Sequence, residues 1–114
     1  MQGSYCPGQG DIIWINFTPH AGHEQAGERP ALTLSSEAYN RKIGLAIFCP
    51  ITTQIKGYPF EVLIPEGLKV RGAILSDQVR NLDWHARRAK FYCKLPLPVL
   101  SDVLAQINML LRVE

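Results

Sequence analysis

No run of apolar residues in this 114-residue sequence approaches the ~20 needed to cross a bilayer. No CxxC pair occurs, and the three cysteines, Cys6, Cys49 and Cys93, are odd in number and far apart. That pattern suggests neither a disulfide framework nor a zinc site. The first residues, MQGSYCPGQGD, have no basic start and no apolar stretch. They do not read as a signal peptide, and a cytosolic location is expected. There are no internal repeats, no low-complexity segment and no linker, so residues 1–114 are expected to form a single domain. Positive charge is missing from the first quarter of the chain, where no Lys or Arg precedes Arg29.

What is present is an ordinary globular composition, 46% hydrophobic with a formal net charge of +2. The charge is unevenly placed. From Arg80 to Lys94 there are five basic residues, Arg80, Arg87, Arg88, Lys90 and Lys94, against one acid, Asp83. Such a segment suits phosphates, although lysines on a solvated strand edge that discourage aggregation would look the same.

Hydrophobic periodicity gives the elements. DIIWINF alternates, with Ile13, Ile15 and Phe17 on one face and Ile12, Trp14 and Asn16 on the other. TPHAGHEQAGE follows, too long and too polar for a tight hairpin, and reads as a surface loop. RPALTLS is a second strand, and EAYNRKIG carries turn signals. LAIFCPIT, nearly all apolar, reads as a central strand with Cys49 in the core. TQIKGYP is a second polar loop and PFEVLIP another strand. GLKVRGAIL, DQVRNLDW and ARRAKFYCKL are further strand candidates. From Pro98 the period changes: Val99, Leu100, Val103, Leu104, Ile107, Leu110 and Leu111 recur at helical steps. The expected fold class is mainly β (α+β): a small barrel or curled sheet closed by a C-terminal helix over about 98–111.

Three polar fragments lie at strand ends: the loop ending in Glu24, Gln25 and Arg29; Pro50-Ile51-Thr52-Thr53-Gln54; and Ser76-Asp77-Gln78-Val79-Arg80. Each has an ordinary explanation when taken alone. Arg29 would pair with Glu24 or Glu28 at the surface, threonines are common at strand ends, and Asp77 and Gln78 would bond a turn. No P-loop, metal-ligand cluster or Cys–His spacing stands out.

As a set, GDIIWINF, EQAGERPALTLS, PITTQIKGYPFEV and DQVRNLDW resemble the MazF/PemK family of toxin endoribonucleases, in the family order and over nearly the whole chain from Gly10 onward. The resemblance implies an SH3-like barrel of the PemK/CcdB type, a homodimer, and metal-independent, sequence-specific cleavage of single-stranded RNA with no cofactor. It also implies a MazE-type antitoxin as partner, whose acidic tail lies across the RNA groove. The family's catalytic arginine and threonine fall on Arg29 and Thr52, and the glutamate of the EQ pair falls on Glu24. The recognition motif implied is short and A-rich with a central cytosine.

RNA cleavage by its own 2′-hydroxyl needs a proton acceptor, stabilisation of a charged phosphorane and a proton for the leaving 5′-oxygen. Arg29 reads as a phosphate clamp that also handles a proton, and Glu24 as a group that orients Arg29 or accepts the 2′-OH proton. Since arginine keeps its proton in nearly all proteins, Glu24 or a histidine is the physically easier base, and the base stays open among the three. His23 and His20 depart from the family pattern; they open an imidazole route, but the favoured reading is two solvated loop residues that touch a base at most. For RNA binding the candidates are Phe17 as a stacking ring or core residue, Gln25, Gln54 and Gln78 for base edges, and Lys56 and Arg87 for phosphates. The alternative is a CcdB-like, gyrase-directed or non-catalytic toxin of the same fold. The EQxGxRP and TTQ elements argue against it.

Overall fold

The structure is a computed structural model, and it describes residues 5–17 and 27–114. Seven strands and two helices follow in the order β1 (Asp11–Asn16), β2 (Glu28–Thr33), α1 (Glu37–Ile43), β3 (Ala46–Thr52), β4 (Glu61–Leu63), β5 (Ala73–Leu75), β6 (Arg80–Leu82), β7 (Lys90–Lys94) and α2 (Leu97–Leu110). All the ladders are antiparallel.

The LAIFCPIT segment earns its apolar run by position. β3 pairs with β2 along one edge, and along the other with β6 at Ala46–Phe48 and β5 at Ile51–Thr52. Pro50 falls at the changeover between β6 and β5, where a missing N–H interrupts no ladder on that side. The sheet path runs β4-β5-β3-β2-β1-β7, with β6 joined to β3. Its end strands, β4 and β7, do not pair with each other, so the sheet is curled and not closed.

Both faces of this sheet are covered, which is why β1 and β3 lack a polar side. On one face, Ile12, Leu32, Cys49, Ile51 and Ile74 pack against Leu100 and Val103 of α2. On the other, Ile13, Ile15, Ala31, Ala46 and Phe48 pack with Leu82 and Trp84. Alternate residues of each strand therefore serve two cores. Helix α2 begins one residue before the expected start, with Pro98 in its first turn.

Helix α1 differs from the expectation of a turn. Ser36 caps it, accepting from the Tyr39 amide at 3.2 Å, and Gly44 ends it at φ +83°. Arg41 and Glu37 pair along its surface at 2.6 Å. The helix is held by Asn40, fully buried, whose Nδ2 donates to the carbonyls of Pro7 at 2.8 Å and Ser35 at 3.2 Å. A single inward polar residue does not produce a helical hydrophobic period, so the segment resembled a turn.

Candidate functional site

Face two of the sheet, away from α2, runs out into polar residues at one end. Arg29 pairs with Ile15 in the β1–β2 ladder. The β2–β3 ladder ends at Ala31↔Pro50. Two residues beyond that pair on each strand, and so on the same face, come Arg29 and Thr52. Arg29 is exposed and Thr52 half-buried. Among the described residues no carboxylate pairs with Arg29, because Glu28 faces Lys90 instead, at 3.6 Å. The surface ion pair expected from Glu28 is thus not formed; Glu24, the other expected partner, lies outside the described residues.

Thr52 is fixed by its own turn. Its Oγ1 accepts from the Gln54 amide at 3.0 Å, which leaves the hydroxyl hydrogen to donate outward. It borders a pocket of about 180 Å³ shared with Gln54, Lys56, Asp77 and Gln78. The PITTQ and SDQVR fragments, 24 residues apart from Thr53 to Asp77, therefore meet at one place. The loop between them is tied down by Glu61. Its carboxylate accepts from the Lys56 amide at 3.1 and 3.2 Å and from the Gly57 amide at 2.9 Å. Lys56 extends from this loop, with its ammonium 6.0 Å from the centre of the Tyr58 ring.

Phe17 packs its half-buried ring on the second core, and the Arg80 guanidinium lies 5.4 Å from its centroid. Phe17 also donates its amide to the Gly27 carbonyl at 2.9 Å, closing the neck of the loop. Arg87 stands beside it. Its Nη1 donates to the carbonyls of Asn16 at 3.0 Å and Phe17 at 3.1 Å, and so fixes the end of β1. Glu24, Gln25, His20 and His23 lie outside the described residues.

Arg80 belongs to the third polar fragment of the sequence, but its place over Phe17 follows from the Phe48↔Arg80 pairing, which a sequence alone does not give. In the sequence Glu61 reads as an ordinary residue of the PFEVLIP strand. Its charge against two successive amides in a Gly-containing loop is the signal that was available. Under the same site, burial pushes the Cys49 thiol up to about 12, with the charge of Asp77 adding to the effect. That cysteine is a core residue, as expected, and is chemically silent near neutral pH. Among the described residues no group of three or more His, Cys, Asp or Glu side chains is placed to hold a metal ion.

An exposed guanidinium and a hydroxyl at a strand end, beside a small polar pocket and two further cations, bring together groups of the kind suited to phosphodiesters. Fold and site together define a small antiparallel protein that presents a phosphate-suited edge. The chain belongs to the family of PemK-like, MazF-like toxins of type II toxin-antitoxin systems, whose sequence profile matches residues 8–111. It is 44% identical over 111 residues to the endoribonuclease toxin MazF of Escherichia coli K12, covering 97% of this chain and 99% of that one. It is 31% identical over 108 residues to the endoribonuclease PemK of Escherichia coli, covering 90% and 80%. Among solved structures, MazF from Deinococcus radiodurans superposes with a TM-score of 0.87 at 50% identity, covering 95% of this chain and 98% of that one. A MazE–MazF complex from the same organism gives 0.86 at 43% identity, covering 97% and 100%.

Proposed function

We propose that this chain is the toxin of a type II toxin-antitoxin pair and an endoribonuclease that cuts single-stranded RNA with the RNA's own 2′-hydroxyl as nucleophile. The observation that carries the reading is the common face of Arg29 and Thr52 at the end of the β2–β3 ladder, beside the pocket of Gln54, Lys56 and Gln78. The relatives named above are endoribonucleases, which disfavours a gyrase-directed alternative.

In this mechanism the scissile phosphate sits between Arg29 and Thr52. The 2′-oxygen attacks phosphorus while its proton passes to a base, for which Glu24 is the leading candidate. Negative charge grows on the non-bridging oxygens. The Arg29 fork and the Thr52 hydroxyl stabilise it, and both interactions strengthen as the phosphorane forms. The bond from phosphorus to the 5′-oxygen then breaks, and the leaving oxygen takes up a proton. The products are a 2′,3′-cyclic phosphate and a 5′-hydroxyl. Gln54 and Gln78 offer paired donors and acceptors to base edges, and Phe17 with Arg80 offers a stacking surface for an unpaired base.

No metal or cofactor takes part in this scheme, the site acts in the cytoplasm, and a MazE-type protein is the antitoxin partner. Its acidic segment would compete with RNA for Arg29, Lys56 and Arg80. The test is digestion of a long RNA by the purified protein in the presence of chelator. Discrete fragments ending in cyclic phosphate and beginning with 5′-hydroxyl are expected, and their ends give the recognition sequence. Fragments carrying a 5′-phosphate, or cleavage only after a divalent ion is restored, would overturn the mechanism.

A further inference from the structure

A second concave site lies beyond Arg87, in a cleft of about 350 Å³ lined by Tyr5, Trp84, His85, Arg88 and Ala89. We propose that this cleft is a stacking subsite for a nucleotide of single-stranded RNA that flanks the cleaved segment. The proposal rests on the endoribonuclease reading above.

The cleft offers ring faces and cations with few free polar handles. The Tyr5 hydroxyl is committed to Asp11, donating to Oδ2 at 2.6 Å. The Trp84 indole N–H is committed to the Asn40 carbonyl at 3.1 Å. Both side chains are thereby fixed. The Trp84 ring is only 9% exposed and backs the cleft from the second core, so the surface open to a base is that of half-buried Tyr5 and exposed His85. Phe91 braces Tyr5 edge-on at 6.0 Å, and the His85 ring stands edge-on to Trp84 at 6.1 Å. Rigid rings beside a guanidinium form a sequence-tolerant platform for an unpaired base. The volume falls within the ~300–1,000 Å³ typical of small-ligand sites.

Arg88 adds an independent observation. It is the one non-glycine among the described residues with positive φ, at +59°. A glycine would adopt that geometry without strain. The turn that holds it is well bonded, with the Arg88 amide donating to the His85 carbonyl at 3.1 Å and the Ala89 amide to the Trp84 carbonyl at 2.9 Å. A strained backbone that keeps a long cation at the rim of an aromatic cleft points to use of that cation.

The ligand is nucleic acid on grounds of charge and continuity. The acids of this region are engaged: Asp83 Oδ1 accepts from the Ala86 amide at 2.9 Å, Glu28 faces Lys90, and Asp11 holds Lys94 at 2.7 Å. Arg88 has no such partner among the described residues. Its neighbour Arg87 donates to the Phe17 carbonyl, so one short turn joins the cleft to the stacking ring of the candidate site.

The test uses the whole protein and RNA oligonucleotides built around a cut site mapped on a long RNA. One oligonucleotide holds the mapped motif alone, and two others add four nucleotides on the 5′ or the 3′ side. For the wild type, one extension should lower KM about fivefold or more, the scale of one stacked base, with kcat little changed. Arg88→Gly suits the local backbone and should fold normally. It should raise KM for the extended RNA to that of the short one, and His85→Ala should do so in part. An extension of abasic residues should give no gain. The proposal is overturned if neither extension lowers KM, if Arg88→Gly leaves the gain intact, or if abasic residues serve equally well. It also fails if Arg88→Gly weakens only the binding of an acidic peptide. A wild type that cuts no RNA would instead refute the endoribonuclease reading.

Discussion

In the proposed mechanism the chemistry turns on Arg29, and its surroundings say what each substitution should do. It is exposed on β2 and belongs to no core, so Arg29→Ala should leave Tm within about a degree while lowering kcat/KM by ~100-fold or more, the scale of losing a transition-state charge donor. Arg29→Lys should recover little, since an ammonium keeps the charge and loses the bidentate geometry. A wild-type rate in Arg29→Ala would remove it from the site. Thr52 and Arg29 were legible as candidates because strand ends gather polar groups, but their shared face depends on a register that only tertiary pairing sets. Thr33 was not legible at all. It is fully buried on β2, and its hydroxyl has no hydrogen-bond partner among the described residues. Desolvating a hydroxyl without compensation costs ~1–3 kcal/mol. Thr33→Val keeps the shape and removes that penalty, so the urea midpoint should rise with the slope unchanged. A fall would mean the hydroxyl has a partner in solution.

Among the elements, β3 carries most of the organisation. Its position was readable from its unbroken apolar run, and the helical period of α2 was equally plain. Helix α1 was hidden because its one buried side chain is an asparagine. The contact between β3 and the chain entering β5 was hidden for a different reason, since a close backbone approach leaves no pattern except a glycine. Gly72 has φ +122°, and a Cβ there would lie 2.0 Å from the Thr52 carbonyl oxygen. The atoms met are backbone atoms of Thr52 and Thr53, so neither can rotate away. Gly72→Ala should therefore push the Thr52 end of β3, the proposed catalytic end, out of place. A loss of at least ~2 kcal/mol is expected from overpacking together with the forced φ. Chemical denaturation measures the stability, and RNA cleavage under folded conditions should fall more than the remaining folded fraction explains. Gly67, also at positive φ but with open space around it, is the control: Gly67→Ala should affect stability through φ strain and leave the cleavage rate of the folded protein unchanged.

At the scale of the whole molecule, two surfaces and four titrating groups matter. Leu97, Met109, Leu111 and Val113 leave 71%, 61%, 76% and 98% of their surface exposed around α2, and Leu63 leaves 60% exposed on β4. Apolar exposure of this extent is expected to be covered by a second copy, so sedimentation at micromolar concentration should show a dimer. A stable monomer there would count against it. The titrating groups set the response to alkali. Burial raises the Tyr5 phenol, and its hydrogen bond to Asp11 raises it further, because a phenolate would face a carboxylate at 2.6 Å. Burial likewise raises Cys6 and Cys93, and it carries Cys49 from 9.0 to about 12. All four hold their protons more tightly when folded than when unfolded. Their contribution to stability is fully present below the unfolded values. It is lost as pH rises through the folded ones, because the unfolded chain releases its protons first. For Cys49 that window runs from about 9 to about 12. Urea midpoints should thus decline steeply above pH 9 and change little between pH 7 and 8 on account of these groups. Cys49→Ala should start from a lower midpoint, because it leaves a small cavity beneath the pocket, but should decline less steeply across that window. Tyr5→Phe should flatten the curve at still higher pH, and combining the two should flatten it over both ranges. If the single and double variants track the wild-type slope, the thiol and phenol are more open to water than their packing indicates.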